Sequence, residues 1–182
     1  MFYLLIISLF LFIYFYNSLI AKKNQVDSIS SSVDVELRKR YNLIPNLVST
    51  VSKYMKHEND LLKEITKLRV QAIKNDISED ELKSIDKNMT KTLGSIMVAV
   101  ENYPELKSNE NMIQLQQTIS DVESNIAAVR RSYNQAVMDY NSSLDMIPTN
   151  FIAKFLNYNP KEFFEIENNQ RKNINVAELF AA

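Results

Sequence analysis

The chain has 182 residues, a formal net charge of −1, one glycine, one histidine and no cysteine. One glycine cannot supply a phosphate-binding loop or a set of hairpin turns, and the lack of cysteine excludes disulfides, thiolate catalysis and cysteine zinc sites. A single histidine excludes two-histidine zinc motifs and the di-iron bundle site. Glycine and proline, the residues that most often interrupt helices, are few in this chain. We therefore predict long helices and an all-α fold.

The first predicted element is a transmembrane helix over residues 1–21. Residues 1–16 carry no charge, and through Ala21 the helix is about 31 Å long, enough for a hydrocarbon core of about 30 Å. The alternative is a cleaved signal peptide, but no basic residue precedes the apolar run and Leu19-Ile20-Ala21 matches a cleavage site poorly. We therefore predict an uncleaved, single-pass anchor in the lipid bilayer.

The charges that flank this helix predict its orientation. Lys22 and Lys23 follow the apolar run directly, Arg38, Lys39 and Arg40 come soon after, and no Lys or Arg precedes it. Positive residues concentrate on the cytoplasmic side of a membrane. We expect the N-terminus to lie outside the membrane and the body of the protein to be cytoplasmic.

The body, residues 22–164, is predicted to be an antiparallel up-and-down bundle of four helices. From Asn24 to about Asn75, apolar residues recur every three or four positions, which predicts one long amphipathic helix with a kink at Pro45. Ser78 is a candidate N-cap for a second helix that Tyr103-Pro104 ends.

The third helix has the most regular pattern, from Met112 to Tyr140, which is typical of left-handed bundle or coiled-coil packing. After Pro148, Phe151, Ile152, Phe155 and Leu156 predict a short capping helix. Residues 165–182 have no clear period, and we expect a flexible tail or one that folds on a partner.

Several polar residues lie on the predicted core-facing stripes, where charges are costly unless they are paired. We predict a network of Arg40, Glu58, Arg130 and Asn134, with Arg69 and Glu123 as further members and Asn141 beside them. We first interpret this network as structural, because buried polar groups in helical bundles set the register between helices. The alternative is a ligand or partner site. We predict no catalytic, cofactor-binding or metal-binding residue, and without a concentrated basic patch we expect no nucleic-acid binding.

The same residues carry a family resemblance that covers almost the whole chain. YNSLI followed by KKNQVDSISSSVDVELRKRYNLIPNLVSTVSKYMKHE resembles the main motif of the LemA family, which centres on Arg40 and the run from Leu43 to Val48 and ends at His57-Glu58. Later blocks of the same family pattern are similar to the segments ITKLR, NYPELKSNENMIQLQ and VESNIAAVRRSYNQAVMDYN and to the positions of Pro148, Phe163 and Phe164. This motif adds Asn46 and His57 to the candidate residues.

The resemblance implies a bacterial, membrane-anchored antiparallel bundle with no established enzymatic activity. Our hypothesis is a non-enzymatic scaffold or adaptor for another membrane or envelope protein, with self-association as a further alternative. A small-ligand binder or enzyme using Arg40, Glu58 and Arg130 is the second hypothesis. Membrane remodelling through a basic amphipathic face is the third.

Overall fold

The structure is a computed structural model that describes residues 1–74 and 77–164, apart from the side chains of residues 79 and 80. The described residues form helices and connecting turns, which confirms the all-α prediction. The helices are α1 (Phe2–Val51), α2 (Asn59–Ala72), α3 (Glu79–Val100), α4 (Pro104–Lys107), α5 (Glu110–Asp145) and α6 (Thr149–Phe155). The predicted tail, residues 165–182, lies outside the described residues.

Helix α1 passes through Pro45 without ending there. The prediction of one helix to about Asn75 is wrong, because α1 ends at Val51, whose carbonyl accepts the amides of both Tyr54 and Met55. The turn that follows buries Met55 completely, and α2 begins at Asn59. Periodicity missed this break because the apolar stripes of α1 and α2 are nearly in phase along the sequence.

Helix α3 begins where the sequence predicts. The Ser78 hydroxyl accepts the Glu81 amide, and the Glu81 carboxylate accepts the Ser78 amide, which together form a capping box. Pro104 ends the preceding segment and also occupies the first turn of α4, a short helix that the sequence analysis missed. The Asn109 side chain then accepts amides at the start of α5.

The chain divides into two compact units. Unit 1 contains residues 1–30 and the residues from 130 onward, and unit 2 contains residues 31–129. In unit 1 the core is formed by α1, α5 and α6, through Leu19, Val26, Ala136, Val137, Tyr140, Ile152 and Ala153. In unit 2 the fully buried apolar residues include Ile44, Leu47, Ile65, Met89, Ile96, Met112 and Ile126.

The first part of α1 is apolar and exposed. Side chains from Phe2 to Tyr14 are largely accessible, in contrast to Leu19 and Val26 further along the same helix. Among the described residues, α1 is the one helix long and apolar enough to cross a membrane. Exposed apolar surface of this extent is typical of a segment whose surroundings are not water.

Candidate functional site

Arg40 is a buried charged residue of unit 2, and its side chain is 1% exposed. It lies on the core face of α1, because Leu37 and Ile44 on the same stripe are buried. One terminal nitrogen donates to Asp86 on α3. The other donates to Thr90 at 3.0 Å and to Glu123 of α5 at 3.2 Å. Arg40 therefore connects three helices through a set of charge-assisted hydrogen bonds.

The electrostatics of this cluster stabilise the charged guanidinium. Burial acts to lower the pKa of Arg40, but the negative charges of Asp86 and Glu123 outweigh it, so the pKa is raised above its ordinary value. The guanidinium also lies over the Tyr41 ring, 5.5 Å from its centre. A permanently charged arginine held by two carboxylates has no proton to exchange near neutral pH, so the arrangement positions helices rather than transferring protons.

The carboxylates that bind Arg40 are Asp86 and Glu123, and of these two the sequence analysis named Glu123. Glu58 is the residue before α2, half-buried and without a side-chain capping bond. Glu58 lies in the turn after Val51, outside both α1 and α2, so the long predicted helix does not extend to it.

Two candidates from the family motif lie on the surface. Asn46 is exposed on α1, where its backbone carbonyl accepts the hydroxyl of Thr50 at 2.8 Å. His57 is exposed in the turn between α1 and α2. Neither lies in the Arg40 cluster.

Arg69 has a specific structural partner. Its Nε donates to the backbone carbonyl of Tyr41 at 3.0 Å. In a regular helix this carbonyl would accept the amide of residue 45, but residue 45 is proline and has no N–H. Arg69 of α2 therefore supplies a hydrogen bond at the position where Pro45 removes one from α1.

Asn134 and Asn141 on α5 both bind the segment that follows α6. Asn134 donates to the Phe164 carbonyl at 3.0 Å and accepts the Phe164 amide at 2.8 Å. Asn141 makes the same pair of bonds with Lys161, both at 2.9 Å. Seven helical residues rise about 10.5 Å and three extended residues about 10 Å, so the two spacings match. We call residues 156–164 the strap.

The strap is also held by aromatic contacts. The Phe164 ring packs edge-on against Tyr133, with 4.8 Å between the ring centres. The Arg130 guanidinium lies 5.7 Å from the centre of the Phe164 ring. Arg130, Asn134 and Asn141 thus belong to unit 1, whereas Arg40, Glu58 and Arg69 belong to unit 2.

Unit 2 also contains a groove of about 730 Å³ between the end of α1 and α2, which we call the α1–α2 groove. Val48, Leu62 and Val70 supply its apolar lining, and three basic side chains line it as well: Lys63, Lys67 and Lys74. The ion pairs of Lys63 with Asp60 and of Lys67 with Glu64 are exposed and long, at 4.0 and 3.9 Å. Such pairs contribute little, so the lysine charges remain available to a binding partner.

The sequence analysis missed Asp86 and Thr90. A signal for both was present, because they are four residues apart and flank the apolar stripe of α3, next to Ile85 and Met89. The groove lysines gave no such signal, because lysines are normally exposed on helices.

Comparison with known proteins places these residues in a family context. The model of the LemA family matches residues 29–177. Protein LemA of Metamycoplasma hominis is 25% identical over 181 residues, which cover 98% of this chain and 83% of that protein.

Magnetosome proteins are similar to the chain at lower identity. MamQ 2 of Paramagnetospirillum magneticum is 22% identical over 175 residues, and MamQ of Magnetospirillum gryphiswaldense is 21% identical over 174 residues. Each alignment covers 82% of this chain and 64% of the magnetosome protein.

Proposed function

The chain belongs to the LemA family, and from this premise we propose that it is a membrane-anchored adaptor without enzymatic activity. Helix α1 would hold it in the bacterial inner membrane, with residues 31–129 presented to the cytoplasm. There the α1–α2 groove would bind an acidic amphipathic helix of another envelope protein.

The observation that carries the proposal is the state of Arg40. Its buried charge is matched within unit 2 by Asp86 and Glu123, so the core charge that most resembled a binding residue is used to join helices. Both terminal nitrogens of Arg40 are engaged within unit 2, by Asp86, Thr90 and Glu123. These facts support a structural role for the cluster and leave recognition to the surface.

The α1–α2 groove supports the choice of an acidic helical partner. Its apolar lining suits one face of a helix, and Lys63, Lys67 and Lys74 suit carboxylates beside that face. Val70 is 49% exposed, which is costly for a valine in water and favourable once a partner covers it.

Site-specific photo-crosslinking in cells tests this function. A benzophenone amino acid at Val70 should give an adduct whose crosslinked peptide comes from an envelope protein and is acidic with apolar residues at helical spacing. The same probe at Val98, an exposed valine of α3 that does not line the groove, is the matched control. The Val70 adduct should disappear when Lys63→Glu and Lys67→Glu are combined.

Three outcomes would contradict the proposal. They are identical adducts from Val70 and Val98, an adduct that survives the charge reversal, or crosslinking of Val70 to a second copy of this chain. The last result would instead assign the groove to self-association.

A further inference from the structure

Helix α6 and the loop before it present an unusual amount of apolar surface in unit 1. Ile147 is 79% exposed and Phe155 is 85% exposed, and Met146 and Phe151 are exposed as well. Four exposed apolar side chains on a seven-residue helix and the short loop before it are unusual in water. Ile152 and Ala153, by contrast, are buried in the core.

This surface adjoins the apolar part of α1. A groove of about 760 Å³ is lined by Leu11, Phe12 and Phe15 of α1 and by Phe151, Phe155 and Leu156 at α6. Its lining on α1 extends from Ser8 to Tyr16. At 1.5 Å per residue, that part of α1 lies roughly 9 to 21 Å from Lys22 toward the N-terminus.

The contacts of Lys22, Lys23 and Asp27 show that α6 lies beside the part of α1 that precedes Lys22. The Lys22 ammonium donates to the Asp139 carbonyl of α5 at 3.4 Å, and α5 continues six residues past that point. After α6 the chain returns, since Tyr158 lies beside Lys23 and Lys161 pairs with Asp27 at 3.3 Å. Only the tip of this hairpin therefore reaches the level of the apolar segment.

We propose that the tip formed by residues 146–156 inserts into the same bilayer leaflet that α1 enters at Lys22, with lipid acyl chains filling the groove between α1 and α6. The proposal rests on the proposed membrane insertion of α1. Hydrocarbon is the occupant that fits, because the groove is continuous with the apolar segment and its lining is almost wholly apolar.

The charges of the tip set its depth. Asp145 ends α5 and Lys154 lies on α6, and both are exposed. A lysine can extend its ammonium toward the headgroups while its methylene groups remain in the apolar region. The insertion should therefore reach about 5–10 Å below the headgroup boundary rather than the bilayer centre.

Fluorescence quenching in vesicles tests this inference on the full chain, which has no cysteine of its own. Single cysteines at Phe155, Leu11 and Val98 carry an environment-sensitive dye in vesicles of phosphatidylglycerol and phosphatidylcholine. Because Phe155 and Val98 are both exposed, neither substitution removes core packing. Spin-labelled acyl chains should quench Phe155 and Leu11 by about twofold or more and leave Val98 unchanged.

The outcomes separate this inference from the membrane insertion of α1. Quenching of Leu11 with a water-exposed response at Phe155 would overturn the lipid contact of α6 alone. Absence of acyl-chain quenching at Leu11 would overturn the anchor itself. If Phe155 is shielded from lipid and from aqueous iodide as the protein density rises, a second copy covers it, and the inference is wrong.

Discussion

Arg69 supplies a hydrogen bond where Pro45 removes one: its Nε donates at 3.0 Å to the carbonyl of Tyr41, four residues before the proline. The pair joins α2 to α1 within unit 2. It also gives a physical role to a proline inside a helix, which otherwise costs about 3 kcal/mol or more. The two residues should therefore be coupled energetically.

A double-mutant cycle measures that coupling. Arg69→Met should lower the free energy of unfolding by about 1.5–3 kcal/mol, the range for a hydrogen bond from a charged group. In a Pro45→Ala background the backbone regains an amide N–H at this position that can bind the Tyr41 carbonyl, so the same change should cost less. Chemical denaturation of the full chain in detergent provides the values. Equal costs in both backgrounds would show that the two residues act independently.

Removal of the Arg40 side chain should strongly destabilise unit 2. Arg40→Ala removes the guanidinium that pairs with Asp86, whose side chain is 11% exposed, and breaking a buried pair costs about 3–5 kcal/mol. Arg38→Ala, on the same turn but exposed, should change stability by about 0.5 kcal/mol or less. A loss for Arg40→Ala no larger than that for Arg38→Ala would contradict the assigned role.

The two carboxylates of the Arg40 cluster should contribute unequally to the stability of unit 2. The Glu123 side chain is 32% exposed and Asp86 is more deeply buried, so Asp86→Asn should destabilise more than Glu123→Gln. Thermal unfolding of the two variants makes the comparison directly. The reverse order would assign the main pairing to Glu123.

The strap should detach locally when either asparagine of α5 is changed. Asn134→Ala removes two hydrogen bonds to Phe164, together worth about 1–3 kcal/mol. Hydrogen exchange should accelerate at the Phe164 amide while the Lys161 amide, held by Asn141, keeps more of its protection. Asn141→Ala should give the opposite pattern. Unchanged exchange at Phe164 in Asn134→Ala would mean that its ring contacts hold the strap without Asn134.

Lowering the pH should destabilise unit 1 because it protonates Asp27. Partial burial acts to raise the pKa of this carboxyl, but hydrogen bonds from Lys23 and Lys161 outweigh it, and the pKa is lowered. The folded state therefore favours the ionised carboxylate of Asp27. The stabilisation that this carboxylate contributes is complete above the ordinary Asp pKa of about 3.9. It is lost as the pH falls through the lower pKa of the folded state.

Denaturation at a series of pH values tests this sign. The stability difference between the natural chain and Asp27→Asn should be largest near neutral pH and should vanish in acid. A difference that grows as the pH falls would have the wrong sign for a lowered pKa.

Cysteine labelling tests the proposed orientation. In intact cells a membrane-impermeant maleimide should label Phe2→Cys, whereas Gln114→Cys on α5 should react after permeabilisation. Gln114 is exposed, so burial cannot explain protection. Labelling of Gln114→Cys in intact cells would reverse the proposed topology, and loss of residue 2 from the mature chain would indicate cleavage.

Local patterns in the sequence determined the all-α fold class and several features of the individual helices. The Ser78 and Glu81 capping box, the apolar stripe of α5 and the uncharged start of α1 are properties of neighbouring residues, so each was predictable without a fold. The same patterns identified Arg40, Asn134 and Asn141 as polar groups at packed positions, because a charge or an amide there needs partners.

The tertiary structure decided which groups are the partners of these residues. Arg40 on α1 pairs with Asp86 on α3, which lies 46 residues further along the chain. Asn134 and Asn141 bind the backbone of the strap, and backbone groups leave no trace in side-chain patterns. Pairing across long sequence separations depends on where turns return the chain, which periodicity along one helix does not contain.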